Sequence, residues 1–178
     1  MGEAGIHAAI EPLDGRVVHL RPVEPRDKAA VLAILTDPTV DQWWQSADAA
    51  ADAEEKVRDQ ELAVWAIESD GEVVGFIQAD EETEPMYRHA SIDIVLAGAG
   101  QDRGLGSDAL RAVCRWLFET RGHHRITIDP AAHNARAIRA YERVGFKRVG
   151  ILRQYEGSRD GSWHDGLLMD MLAGELRD

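Results

Sequence analysis

Hydrophobic and polar positions in the first third of the chain follow two different periods. In "GRVVHLRPV" (15–23) apolar and polar residues alternate, and the β-branched content predicts a strand. In the following "EPRDKAAVLAILTDP" (24–38) the apolar residues recur three and four positions apart up to Pro38, which predicts a helix. A polar, alanine-rich segment after the pair Trp43 and Trp44 predicts a second helix.

Three strands and a long helix are predicted for the middle of the chain. The segment 62–82, "LAVWAIESDGEVVGFIQADEE", holds two strand-like stretches about Asp70 and Gly71, a pair typical of a hairpin turn. "ASIDIVLAG" (90–98) predicts another strand, and "SDALRAVCRWLFE" (107–119) predicts an amphipathic helix.

A short strand, a capped helix and a final hairpin are predicted for the last third. "HHRITIDP" (123–130) predicts a strand that ends at its proline, and "NARAIRAYERVGF" (134–146) begins with an N-cap, Asn134, and ends at a C-cap, Gly145. Two more strands flank "GSRDG" (157–161), which has turn chemistry. Because several strands follow one another directly between helices, we expect a three-layer α/β domain with a mixed sheet.

Composition favours one globular domain. The 178 residues include 44% apolar and 29% charged side chains, and we predict a single domain at 15–178 after a flexible start at 1–14. No apolar run approaches the ~20 residues of a membrane span. The first residues lack the basic-then-apolar order of a signal peptide, so we expect a cytoplasmic protein that does not bind membranes.

The excess of acidic over basic side chains limits the classes of partner that the chain can bind. A net charge of −12 comes from 32 acidic and 20 basic side chains. Such a field opposes nucleic acid and concentrates cations in a carboxylate-lined cleft, although an acidic surface also maintains solubility. The single cysteine, Cys114, is expected to be a core thiol, and the histidine spacing supports no metal site.

Two glycines stand one residue apart after the strand at 90–98. In "QDRGLGS" (101–107), Gly104 and Gly106 let the backbone approach a ligand, and the N–H groups that open the next helix form an anion cradle suited to a pyrophosphate. Arg103 adds a cation. The alternatives are a dinucleotide fingerprint, which the C-terminal hairpin argues against, an NTPase loop, which needs the missing G-K-[ST], and a plain helix start.

The helix predicted at 134–146 carries a second set of candidates. Tyr141 lies on its apolar side, where its hydroxyl is placed beside a cofactor or, alternatively, is bonded within the core. Asn134 and three arginines are placed to reach a phosphorylated cofactor. The arginines are Arg136, Arg139 and Arg143.

The loop and the helix each contain a longer motif. The first is Q-x-x-G-x-G, formed by Gln101, Gly104 and Gly106. The second is N-x-x-A-x-x-x-Y-x-x-x-G-F, formed by Asn134, Ala137, Tyr141, Gly145 and Phe146. Together they resemble the GNAT superfamily of acetyl-CoA dependent N-acetyltransferases. The resemblance implies an α/β (α+β) fold, in which a mixed, mostly antiparallel sheet of six to seven strands is splayed between strands 4 and 5 and flanked by about four helices.

The resemblance also implies acetyl-CoA as the cofactor. Backbone N–H groups of the glycine loop would hold the pyrophosphate, the splayed strands would admit the pantetheine arm, and Tyr141 would protonate the leaving thiolate. The cofactor-binding residues implied are Ile94, Val95, Leu96, Gln101, Arg103, Gly104, Leu105, Gly106, Ser107, Asn134, Ala137, Arg139 and Tyr141.

Acetylation of a primary amine needs a proton acceptor, because an amine with a pKa near ~10 is protonated at neutral pH. Asp93 interrupts the apolar run of its strand, which is costly unless the carboxylate is bonded or faces a cleft, so Asp93 is the first candidate. The alternative is that strand alternation points Asp93 to solvent. Asp129 is a second candidate, with a turn or cap before Pro130 as its alternative.

Five shorter segments narrow the resemblance: "DQWWQ", "EETEP", "SID", "QDRGLG" and "DPAAHNARAIRAYERVGF". They are similar to segments of aminoglycoside 6'-N-acetyltransferases. This resemblance implies a pocket for a polycationic amine in which Asp93 lies at the reacting amine, Asp129 binds the substrate and the tryptophan pair borders the sugar; alternatively, the pair anchors the core. The predicted acceptor residues are Asp41, Trp43, Trp44, Glu81, Glu82, Glu84, Asp93, Asp129 and Asp160.

Two departures leave the acceptor open. The segment between "GFIQ" and "EETEP" is short, and the tail 152–172 resembles GNAT enzymes that act on peptide N-termini or small amines. We therefore predict direct transfer in a ternary complex to the 6'-amine of an aminoglycoside, with a protein N-terminus or a small-metabolite amine as the alternative. A non-catalytic acyl-CoA-binding regulator is the remote alternative. We expect a monomer or a homodimer.

Overall fold

The computed structural model describes residues 5–59 and 61–178, whose strands form one mixed sheet. The strands are β1 (Leu13–Asp14), β2 (His19–Pro22), β3 (Ala63–Ser69), β4 (Glu72–Glu82), β5 (His89–Leu96), β6 (Arg125–Ile128), β7 (Lys147–Gly157) and β8 (Trp163–Leu172). Their order across the sheet is β1-β2-β3-β4-β5-β6-β8-β7. Every neighbouring pair is antiparallel except β5 with β6, which is parallel.

Helices cover both faces of this sheet. They are α1 (Lys28–Leu35), α2 (Pro38–Asp41), α3 (Ala49–Lys56), α4 (Leu105–Glu119) and α5 (Ala135–Val144). The chain leaves α1 where Asp37 accepts a hydrogen bond from the Thr39 N–H at 2.8 Å and so caps the one-turn α2, with Pro38 at its first position. None of the helices in the described ranges is long and apolar enough to cross a membrane.

Strand alternation sends apolar side chains into two separate cores. On β4, Ile77 packs toward α4 and α5, whereas Phe76 packs toward α1 and α3. On β5, Ile92 belongs to the first core and Val95 to the second. Both faces of the central strands are therefore buried, as in a three-layer domain.

The predicted fold class is confirmed, and the structure adds two short elements. Eight strands are present where six to seven were expected, because Leu13 in the two-residue β1 pairs with Leu20 of β2. Ile6, also within the segment 1–14 that we predicted to be flexible, is 3% exposed and packs in the core. Residues 1–4 of that segment lie outside the described residues. The single turn α2 brings the helices to five in the described ranges, where about four were expected.

The predicted splay is confirmed between β5 and β6, which are the fourth and fifth strands of the sequence prediction because β1 precedes them. Their parallel pairing is confined to Ala90 with Ile126 and Ser91 with Thr127. Beyond Ser91 the two strands separate, and the sheet opens at their carboxyl ends. This opening positions the site described next.

Candidate active site

A cleft of about 620 Å³ occupies the opening between β5 and β6. One half is lined by the carboxyl end of β5, the loop that follows it and α5. The other half is lined by the segment after α2, the end of β6 and part of β7. The cleft therefore brings residues from both sides of the sheet opening into one cavity.

The glycine loop forms the start of α4 at the edge of the cleft. Gly104 precedes the helix with a φ of 80°, in the left-handed region that favours glycine. A side chain at Gly106 would place its Cβ 2.9 Å from the Leu96 Cδ1 atom. Because the first N–H groups of a helix have no partner within it, this junction fits a phosphate-bearing ligand.

Backbone groups at the end of β5 are turned toward the cleft. The Ala97 N–H donates to the Val74 oxygen at 3.0 Å, and in an antiparallel pair alternate residues bond to the same neighbour. Val95 therefore bonds to β4, whereas Ile94 and Leu96 direct their N–H and C=O groups toward the side that β6 has left. Of the three β5 residues predicted to bind the pantetheine arm, the geometry favours these two.

Gln101 contacts the backbone at the end of β5. Its Nε2 atom donates to the Leu96 oxygen at 2.8 Å and to the Thr39 hydroxyl at 3.1 Å. Its Oε1 atom accepts a hydrogen bond from Arg136 of α5. The predicted cofactor residue Gln101 thus links the loop to α5 across the cleft.

Helix α5 contributes capping and titratable groups. Asn134 is buried and accepts from the Ala137 N–H at 3.1 Å, so its side chain holds the helix start. Tyr141 lines the cleft, and burial raises the pKa of its hydroxyl well above the ordinary value. The hydroxyl therefore stays protonated at neutral pH. Arg136 and Arg143 also line the cleft, whereas Arg139 is exposed outside it.

Asp93 and Asp129 both line the cleft. Burial raises the pKa of Asp93, the hydrogen bond from Gln78 Nε2 at 2.9 Å opposes this rise, and Asp129 adds to it. Burial also raises the pKa of Asp129, against a hydrogen bond from Tyr155. Two carboxylates predicted from separate strands are thus brought to one place.

Tyr155 and Glu156 on β7 join this acidic group. The hydrogen bond to Asp129 raises the pKa of Tyr155 to about 12. The pKa of Glu156 is raised by burial and by the nearby carboxylates Asp129 and Asp93, although His164 opposes the rise. Because Asp129 raises the pKa of Asp93, and both carboxylates raise the pKa of Glu156, this group favours a bound cation of several charges over water.

An aromatic wall borders the acidic group. The rings of Trp43 and His133 lie 5.1 Å apart, and those of His133 and His164 lie 5.6 Å apart. Trp44 lines the cleft and also packs edge-on against Phe76 at 5.9 Å. Trp43 therefore lies on this wall, and Trp44 lies partly in the core.

Several predicted site residues lie away from the cleft. Arg103 bonds Asp70 at 2.9 Å on the outer side of the loop. Asp160 holds its own turn through the Ser162 N–H at 2.9 Å. Asp41 pairs with Arg159 and does not line the cleft. Glu82 and Glu84 are exposed and do not line the cleft.

Glu81 is part of a buried ion cluster at the carboxyl end of β4 and does not line the cleft. Its carboxylate accepts from Arg121 Nη2 at 2.9 Å and from His123 Nε2 at 2.7 Å. Burial alone raises the pKa of Glu81, but these two hydrogen bonds outweigh it and lower the pKa overall. Burial lowers the pKa of His123. Glu81 therefore has a structural role in this fold.

Replacement of Glu81 by glutamine should destabilise the fold by about 3 kcal/mol, because one partner of a buried ion pair is removed. The loss should be measured by urea unfolding at pH 7, with the exposed neighbour Glu82→Gln as the matched control. Glu81 and His123 both have depressed pKa values. The cluster therefore stabilises the fold at pH values above the unfolded pKa values of these groups, and this stabilisation is lost as the pH falls through their folded pKa values. A Glu81→Gln variant of unchanged stability with a raised acceptor KM would place Glu81 in the acceptor site instead.

Sequence reasoning did not select three polar residues near the acidic group. Gln78 was detectable, because it interrupts the apolar run of β4 as Asp93 interrupts that of β5. Tyr155 and Glu156 had no such signal, since β7 is exposed along nearly all its length and only tertiary pairing brings them to the cleft. Cys114 is fully buried, and burial raises the pKa of its thiol, as expected for a core residue.

Comparison with known proteins gives a consistent family. Residues 18–147 match the acetyltransferase (GNAT) domain. The chain is 32% identical over 160 residues to an aminoglycoside N(6')-acetyltransferase type 1 of Klebsiella pneumoniae, covering 79% of each chain. It is 24% identical over 158 residues to a spermidine N(1)-acetyltransferase of Escherichia coli strain K12, covering 85% of this chain and 84% of the relative.

Solved structures agree with these relatives. AAC(6')-Ib in complex with ribostamycin and coenzyme A superposes with a TM-score of 0.72 at 27% identity, covering 88% of this chain and 94% of the other. Mycobacterium smegmatis RimJ in complex with CoA-disulfide superposes with a TM-score of 0.75 at 28% identity, covering 94% of this chain and 88% of the other.

Proposed function

Because this chain belongs to the GNAT family of acetyl-CoA dependent N-acetyltransferases, we propose that it acetylates a primary amine of a small polycation, the 6'-amine of an aminoglycoside. The observation that carries this proposal is the group of three carboxylates, Asp93, Asp129 and Glu156, in one cleft beside an aromatic wall. A single exposed ion pair contributes only about 0.2–1 kcal/mol. An acceptor with several ammonium groups and sugar rings is therefore the ligand that gains most from this arrangement.

The cofactor half of the cleft fits acetyl-CoA. Free N–H groups at the start of α4 would hold its pyrophosphate, and the backbone edge of Ile94 and Leu96 would bond its pantetheine arm. Bound there, the coenzyme supplies an acetyl group as a thioester. Arg136 and Arg143 add positive charge along the same half.

Two residues of this chain would move the protons of the reaction. Asp93 would bind the acceptor ammonium and accept one of its protons, which frees the nitrogen lone pair to attack the acetyl carbon. Its raised pKa brings the carboxylate nearer to neutral pH, where a general base works best. Tyr141 would give its proton to the sulfur as the carbon–sulfur bond breaks. The nitrogen then loses a second proton, which replaces the one that Tyr141 gave to the sulfur, so that one N–C bond is formed, one C–S bond is broken and one net proton remains on Asp93.

A second class of acceptor has its own support. The match to a spermidine N(1)-acetyltransferase concerns a linear polyamine, which also carries several ammonium groups. A linear chain makes no use of an aromatic wall for sugar rings, so Trp43 separates the two candidates.

An acceptor panel tests the proposal. We expect thiol release from acetyl-CoA with kanamycin-type and gentamicin-type aminoglycosides, and slower release with spermidine or with peptides that carry a free N-terminus. Trp43→Ala should raise the aminoglycoside KM about fivefold, because stacking on an aromatic ring contributes about 1 kcal/mol, and should leave the spermidine KM unchanged. Release with spermidine or peptides alone would overturn the aminoglycoside assignment.

A further inference from the structure

Gln78 lies directly across from Asp93 in the sheet. The two residues are register partners on β4 and β5, and their side chains share one face. Gln78 Nε2 donates to Asp93 Oδ2 at 2.9 Å. Among the described residues this is the one side-chain hydrogen bond that the Asp93 carboxylate accepts, so its Oδ1 atom is left for a ligand.

The amide of Gln78 stands in an apolar environment. Phe76 on the same strand and Val95 beside Asp93 point to the same core. Gln78 itself is 8% exposed, and its Oε1 atom is buried with no hydrogen-bond partner among the residues that the structure describes. An unpaired buried carbonyl oxygen destabilises a fold, and an apolar side chain would suit this position better. Folding alone therefore gives no reason for an amide here.

We propose that Gln78 is a positioning residue for the transfer reaction. By holding one carboxylate oxygen of Asp93, it fixes the orientation in which the other oxygen meets the acceptor amine. The inference rests on the proposed function, because it assumes that Asp93 is the proton acceptor. It adds that the orientation and the proton affinity of Asp93 are set by a neutral partner buried behind it.

Other charged groups around Asp93 act on the same proton. Asp129 at the end of β6 and Asp80 on β4 favour the protonated form, and Lys56 at the end of α3 favours the ionised form. The Asp93 charge in turn raises the pKa of Tyr141 on α5 and of Tyr155 and Glu156 on β7. Since Gln78 stabilises the ionised form by a direct hydrogen bond, its loss should raise the pKa of Asp93 further.

The test is the pH profile of kcat/KM for an aminoglycoside. Activity needs ionised Asp93, so it falls as pH drops through the Asp93 pKa. Gln78→Met should move this acid limb upward by about one pH unit, since a hydrogen bond to a charged group is lost. The plateau kcat should fall about tenfold because orientation is lost, while the KM for acetyl-CoA stays unchanged.

A second variant gives an expected order of acid-limb pH values that a purely structural role of Gln78 would not produce. Gln78→Glu places another carboxylate against Asp93, so that the pair retains a proton to higher pH. The acid limb should therefore rise from the parent to Gln78→Met and again to Gln78→Glu. The control is Thr127→Val, which removes a buried hydroxyl that donates to the Ala90 oxygen on the neighbouring strand and should leave the limb in place.

Thermal unfolding of each variant separates positioning from folding. Variants that melt like the parent but shift the limb in the expected order support the inference. A limb that stays in place in both Gln78 variants overturns it, whatever their stability. If Asp93→Asn also remains active, the proposed role of Asp93 fails as well; if Asp93→Asn is inactive, the Gln78 inference alone has failed.

Discussion

Asp93→Asn is expected to lower kcat by about 10³-fold, the range in which general-base catalysis contributes. Asparagine keeps the size of the side chain and can still accept the hydrogen bond from Gln78, but it cannot take the proton of the acceptor ammonium. In the parent the pKa of Asp93 is raised by burial. Its kcat/KM should therefore fall on acidification at a pH above the ordinary aspartate pKa of about 3.9.

Binding measurements separate this loss from a loss of fold or cofactor. Titration calorimetry with coenzyme A should give the same Kd for Asp93→Asn and the parent. Glu72→Gln, at the exposed start of β4, removes the same charge outside the cleft and should keep full turnover. Turnover of Asp93→Asn close to that of the parent would remove Asp93 from the mechanism.

Tyr141→Phe is expected to lower kcat by about 10²-fold with little change in the KM of either substrate, since only protonation of the leaving sulfur is lost. Because burial raises the pKa of Tyr141 well above its usual value near ~10, the hydroxyl stays protonated throughout the usual assay range. In the parent, ionisation of Tyr141 should therefore cause no loss of activity at alkaline pH below about pH 10. Steady-state kinetics from pH 6 to 10 at saturating substrates measure both expectations.

The matched control for Tyr141→Phe is Tyr87→Phe, which removes a hydroxyl from a residue that is 70% exposed in the β4–β5 turn. It should have the kinetics of the parent. An acetyl thioester of a more acidic thiol gives a sharper comparison, because its leaving group needs less protonation. If Tyr141→Phe slows both donors equally, the hydroxyl contributes by packing and not by proton transfer.

Features that depend on residues close together in the sequence were predictable. The glycine loop and the capped helix that begins at Asn134 depend on residues within a few positions of one another, and their motifs are short. Asp93 could be selected because a carboxylate within an apolar strand is an anomaly. The splay of the sheet followed from the family resemblance and not from periodicity.

Features that depend on distant partners were not predictable. Glu81 is a carboxylate of the type expected in an acceptor site. Arg121 and His123, about forty residues further on, bind it in a separate cluster instead. Glu156 gives no sequence signal and reaches the cleft only through the pairing of β7 with β8. A single sequence does not specify such pairings, because alternation sets which face a residue occupies and not which neighbour it meets.

The departure of β6 from β5 divides recognition between two kinds of chemical group. In the proposed site the coenzyme meets mainly main-chain N–H groups, which most substitutions at positions such as Ile94 and Leu96 would retain. The acceptor meets side chains such as Trp43, Asp129 and Glu156, each of which one codon change can replace. Acceptor preference can therefore diverge under selection while the coenzyme requirement is inherited unchanged, and descendants of one ancestral enzyme can come to modify different amines.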